Sequence, residues 1–194
     1  MAGSAVQESS HTVELDRAPL PLGRALAAEA RCVATTLALL VGGHVHQPAA
    51  HVGDVLRFAD GSSARVYRET VVDHAPLVAP AALVVEFRLR WIHGRGHAWF
   101  RAESLLNTPL FVGFRGFVSK LWLAHDENDV YRGVYQWDGP ELAHAYARSL
   151  WWILALVSER GSIHYVVVPN CTRDDVVAAR GPAGEAWWRV TSPS

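Results

Sequence analysis

Ten histidines in 194 residues are many, and they come first as groups able to carry chemistry because imidazole titrates near neutral pH and serves as base or metal ligand. His93-Gly94-Arg95-Gly96-His97 sets two imidazoles beside two glycines, which let a backbone approach a ligand closely. Arg95 there can hold an anion near a helix start, although the full strand-to-helix phosphate signature is absent. His164 precedes Tyr165 in an apolar strand pattern and reads as the internal histidine of the second half. His93, His97 and His164 are therefore the candidate catalytic bases, suited to taking a proton from an acidic phenol or carbon acid. His125 and His144 read as hydrogen-bonded core or surface groups. His44 and His46 alternate onto one face with His51 nearby, as a zinc or copper site wants. No carboxylate or cysteine stands beside them in that spacing and Pro48 intervenes, so a solvated loop is expected and no metal.

Eight tryptophans point to a thick core, an interface or an aromatic pocket. Trp91, Trp99, Arg101, Tyr135, Trp137 and Trp152 are the candidate substrate-binding residues. Their rings would enclose a flat apolar ligand, while Arg90 or Arg101 would stabilise developing negative charge. Trp151 and Trp152 point about 100° apart on a helix, so one at most is central in a core. No nucleophile elbow, phosphate loop or paired-cysteine metal signature is present.

The elements that must position these groups follow from periodicity. Leu22, Leu26, Ala30, Val33, Leu37 and Leu40 recur at helical spacing, and Gly42-Gly43 ends that helix. Two β-like runs, 54–58 and 64–72, flank Asp60-Gly61, a hairpin dipeptide. His74-Ala75-Pro76 and Ala79-Pro80 mark a linker. Strands are then expected at 83–92, 117–125, 130–137 and 163–168, with helices at 97–107 and from Pro140 to a stop at Gly161. Asp138 three residues before Glu141, with Pro140 between, signals the start of the second helix. The order β-α-β-β-α-β is that of a ferredoxin-like half-barrel of the α+β class, preceded by an N-terminal helix and β-hairpin. The chain divides into an arm (1–22), the helix-hairpin extension (23–80), the ferredoxin-like domain (81–170) and a C-terminal tail (171–194).

Alternation assigns Phe87, Leu89, Trp91, Leu121, Leu123, Tyr135 and Trp137 to the face under the helices. It assigns Glu86, Arg88, Arg90, Lys120, Trp122, Arg132 and Gln136 to the other face. An open sheet with helices on one side leaves that second face free, and a homodimer through it is the natural inference.

Gly116 to Trp122 (GFVSKLW), Tyr131 to Trp137 (YRGVYQW) and Ala143 to Ala147 (AHAYA) resemble the YdhR-like monooxygenase group of the dimeric α+β barrel superfamily, related to antibiotic-biosynthesis monooxygenases. The group's Gly-Phe turn, Lys-x-Trp strand, Gly-containing strand with an aromatic and Ala-rich helix fall on Gly116-Phe117, Lys120 and Trp122, Gly133 with Tyr135, and the helix from Pro140. The resemblance covers residues 82–169. It implies a homodimer of ferredoxin-like protomers with a pocket between helices and sheet. Some relatives oxidise polyketide-like aromatic compounds without metal or flavin, while others degrade haem or isomerise small molecules; fold alone does not choose among these.

Composition limits the remaining classes. Eighteen basic and nineteen acidic residues nearly cancel, which removes the phosphate attraction behind nucleic-acid binding. The longest apolar run, 32–43, is too short to span a bilayer, and two distant cysteines make no disulfide framework; a soluble cytoplasmic protein is expected. Lys120 is the sole lysine beside seventeen arginines. The expected function is a cofactor-independent oxygenase of an apolar aromatic or polyketide-like small molecule. The alternatives are a non-redox cyclase or isomerase using the same pocket, and a non-enzymatic dimeric binding protein.

Overall fold

Asp60 and Gly61 turn the chain between the first long pair of strands: Gly61 has φ +88°, and the Asp60 carboxylate accepts from the Ser62 amide and hydroxyl. The computed structural model describes residues 19–90 and 108–193. Its helices are α1 (Leu22–Val41), α2 (Pro140–Val157) and the short α3 (Arg173–Val177). The strands are β1 (Val45–His46), β2 (Val55–Phe58), β3 (Ser63–Val72), β4 (Pro80–Arg88), β5 (Phe117–Leu123), β6 (Val130–Asp138), β7 (His164–Pro169) and β8 (Val190–Pro193). They form one sheet in the order β7-β4-β6-β5-β3-β2-β8, with β1 on β3, and all pairings are antiparallel. The class is α+β. The hairpin expected as an extension joins the sheet directly, since β3 pairs with β5.

Helix α2 begins behind Gly139 (φ +120°) with Pro140 in its first turn, where a missing N–H costs nothing. The Asp138 carboxylate does not cap it; it accepts from the amides of Val78 and Ala79 and so fixes the linker entering β4. The helix stops at Val157 rather than Gly161, and the Arg90 guanidinium donates to the Ser158 carbonyl just past its end. Helix α1 differs more from expectation. Its buried side is Ala25, Glu29, Cys32 and Thr36, whereas Leu22, Leu26, Leu37 and Leu40 are exposed, Leu26 to 60%. The small side chains permit a close approach: a Cβ on Gly113 would overlap the Cys32 carbonyl oxygen.

The two sheet faces carry separate cores. Under α2 lie Leu83, Val85, Tyr135, Trp137 and Trp122, packed on Ala143, Tyr146 and Leu150. The opposite face holds Leu56, Val66, Ala82, Val84, Leu121, Leu123 and Val134, packed on Val176, Val177, Trp188 and Val190. Two assignments made from alternation are thereby corrected. Lys120 and Trp122 lie on the helix side, opposite Tyr135 and Gly133 of β6, while Leu121 and Leu123 pair with Val134 and Arg132 on the other side. The cause is a register shift between Phe117 and Ser119, because one extra residue flips every later side chain. The second correction concerns the face expected to be open for a partner sheet. The chain's own segment 171–190 covers it, with Trp188 only 4% exposed. Trp187 packs against the same core.

Candidate active site

Between the sheet and α2 lies a cavity of about 350 Å³, at the lower end of the usual size for small-molecule sites. Its sheet side is formed by Phe87, Lys120, Trp122, Tyr131 and Tyr135, its helix side by Tyr146, Leu150, Ile153 and Leu154, and Phe111 closes one part of the wall. Phe87 and Tyr131 stack with ring centroids 5.9 Å apart. Phe111 meets Trp122 edge-on at 5.2 Å. The indole N–H of Trp122 donates to the buried Thr70 hydroxyl at 3.1 Å, which fixes the orientation of the ring.

Lys120 is the chemical centre of this wall. Its Nζ lies 3.2 Å from the Trp122 ring centroid, 4.6 Å from that of Tyr135 and 4.7 Å from that of Phe111. No carboxylate is among the described residues lining the cavity, and among the described residues Nζ has no hydrogen-bond or ion-pair partner. Burial, and secondarily the charge of Arg68, hold its pKa well below the ordinary lysine value, so the charged form is disfavoured relative to an exposed lysine. Arg68 sits over the same Trp122 ring, its Cζ 3.9 Å from the centroid, and burial lowers its own pKa to about 10.

Gly133 makes room for this lysine. A Cβ there would stand 3.2 Å from Lys120 Cε and 2.8 Å from a Tyr135 ring carbon. Tyr146 donates a hydrogen bond to the Tyr135 hydroxyl at 3.4 Å. Burial first, then their mutual interaction, keeps the Tyr146 hydroxyl protonated, and burial does the same for Tyr135. Glu29 of α1 lies close enough for its charge to raise Tyr146 further. Its two carboxylate oxygens are buried without hydrogen-bond partners among the described residues, and burial raises its pKa to about 7.

Of the sequence-predicted site residues, Tyr135 lines the cavity. Trp137 is wholly buried behind it, against Phe117 and Tyr146. Trp152 lies on the outer side of α2, and its indole donates to the Leu20 carbonyl; it does not line the cavity. His164 is corrected from internal to half-exposed. It pairs with Glu86 at 3.0 Å in a separate polar cleft on the opposite side of the sheet. Trp91, His93, His97, Trp99 and Arg101 lie outside the described residues. Of the three early histidines, His44 and His46 share the exposed Asp73 carboxylate at 3.1 and 2.8 Å, a partner that sequence spacing did not reveal. Among the described residues no group of three or more His, Cys, Asp or Glu side chains forms a metal site.

Sequence reasoning missed Lys120 and Glu29 as candidates. The available signal for the first was its singularity within an arginine-only background and its place inside an apolar strand; for the second, a carboxylate in register with Ala25, Cys32 and Thr36. Comparisons with family models, with curated proteins and with solved structures give no match. No helix among the described residues is long and apolar enough to cross a membrane.

Proposed function

We propose that this protein is an enzyme acting on an apolar aromatic or polyketide-like small molecule held between the sheet and α2. The supporting observation is the cavity of about 350 Å³, walled by aromatic and aliphatic side chains, with one unpaired amine and no carboxylate among its described lining residues. An amine whose charged form is disfavoured by burial can take a proton from a phenol or an activated methylene, and the surrounding rings shield the resulting anion. In the oxygenase reading that substrate anion itself reacts with dioxygen. In the cyclase or isomerase reading the same proton transfer rearranges the substrate without it. The first is preferred because the motif around Lys120 and Trp122 carries the resemblance to the YdhR-like monooxygenase group, some relatives of which oxidise polyketide-like compounds without metal or flavin.

A ferredoxin-like unit across residues 81–170 belongs to this proposal. Its support is the order β7-β4-β6-β5, with α2 crossing from β6 to β7.

The test is oxygen consumption with a panel of polycyclic phenols and anthrone-like compounds, alongside quenching of tryptophan fluorescence. Saturable quenching with substrate-dependent oxygen uptake is expected, with the uptake alone lost in Lys120→Met. Quenching and product formation without oxygen uptake would move the assignment to the isomerase class. No saturable quenching by any member would contradict the proposal.

A further inference from the structure

The structure holds a primary amine in a place where amines react with carbonyl compounds. Lys120 reaches the cavity wall from β5 across the space left by Gly133. Three rings surround its nitrogen, and no acid is positioned among the described residues to hold it as a paired ammonium. The neighbouring buried cation shows the contrast: Arg132 is met by Asp60, Glu86 and Asp126. A lysine in dry, apolar surroundings next to another cationic group is the setting in which its nitrogen becomes a nucleophile.

We propose that Lys120 binds an apolar aldehyde or ketone covalently, as an imine. The Nζ lone pair forms a bond to the carbonyl carbon while the C=O π pair moves to oxygen. The two amine protons leave with that oxygen as water, and a C=N bond replaces C=O with no change of oxidation state. The paired hydroxyls of Tyr135 and Tyr146, both held protonated, lie on the same wall and can supply a proton to the departing oxygen. Exclusion of water from the aromatic enclosure then favours the imine over hydrolysis. This inference rests on the cavity being a ligand site, as proposed above, and adds the carbonyl group as the feature recognised.

The sequence offers an unusually direct test, because Lys120 is its only lysine. The intact protein is incubated at neutral pH with naphthaldehyde and cyanoborohydride, and the adduct is located by intact mass and peptide mapping. Naphthol, of the same shape without a carbonyl, serves as competitor. The expected result is one adduct per chain at Lys120, formed about tenfold or more faster than on a free lysine derivative, since each unit of pKa lowering multiplies the neutral amine about tenfold. Naphthol should slow it, and Lys120→Met, which fills the same volume, should abolish it. Quenching by both compounds with labelling confined to the α-amino group would overturn the imine and leave the cavity reading intact. Quenching by neither would overturn both. Lys120 labelling no faster than the free derivative and unaffected by naphthol would also overturn the imine, because it would report an ordinary exposed amine.

Discussion

Lys120 and Arg132 stand on paired strands of one sheet, both buried, with their charged ends on opposite faces. Arg132 donates to Asp126 at 2.6 Å, lies 3.1 Å from Asp60 and 3.2 Å from Glu86, and donates again to the Trp187 carbonyl. It ties the hairpin turn, the β6 entrance, β4 and the C-terminal segment together. On the same face Arg173 meets Glu69 at 2.7 Å, and its amide donates to Gln136. The cavity side is different: Lys120 has rings for neighbours, and Glu29 has no hydrogen-bond partner among the described residues. A buried charge is tolerable when it is paired and costly when it is not, so unpaired titratable groups on one face mark where the chain gives up stability. The face with matched charges holds the tail on; the face with unmatched ones surrounds a cavity.

The sharpest way to break this comparison is to remove each cation in turn. Arg132→Met should lose about 3–5 kcal/mol in chemical denaturation, because it strands buried carboxylates. Lys120→Met should be neutral or stabilising by about 1 kcal/mol, since it orphans nothing and fills the same volume with an apolar chain. Equal losses at both positions would erase the distinction. Next in size is Gly133→Ala, which should cost about 1–3 kcal/mol by crowding the Tyr135 ring and Lys120, and should slow carbonyl labelling at Lys120 by more than it alters the melting curve.

Glu29 sharpens the same contrast through pH. Folding raises its pKa from 4.5 to about 7, so the folded chain holds that proton more tightly than the unfolded one. Its contribution is fully present below pH 4.5 and is lost as pH rises through about 7. Glu29→Gln should therefore flatten the stability profile over that interval and gain about 1–3 kcal/mol at pH 8; an unchanged slope would show that the carboxylate is solvated. The smallest effect is expected from Thr70→Val, which removes the hydroxyl accepting from Trp122. It should cost about 0.5–1.5 kcal/mol and broaden tryptophan emission by releasing the ring.

The hairpin, the four later strands and α2 are legible in the sequence because each has a local signal: Asp60-Gly61 for the turn, alternation along β4 and β6, Pro140 at a helix start. The faces of β5 are not legible. Phe117 does lie under the helices beside Trp137, but the shift before Ser119 carries Lys120 and Trp122 to that side afterwards, and nothing in FVSKLWL announces a bulge. The leucine stripe of α1 misleads for a related reason. Its packing is decided by how closely small residues let the helix approach Gly113, not by where the large apolar side chains fall. The role of the tail depends on tertiary pairing of β8 with β2, which leaves no periodic trace in so short a segment. Part of the site is hidden for these reasons: a reading that turns Lys120 outward makes it a surface charge.

The central claim, that Lys120 is an amine on the cavity wall with no ion-pair partner among the described residues and a lowered pKa, is open to one direct measurement. Lysine labelled with ¹³C at Cε gives a single side-chain resonance in a protein with one lysine, and its chemical shift can be followed against pH. The account predicts a midpoint well below the ordinary value of 10.5, moving further when an apolar ligand such as naphthol fills the cavity. A midpoint at or above the ordinary value, indifferent to ligand, would contradict it.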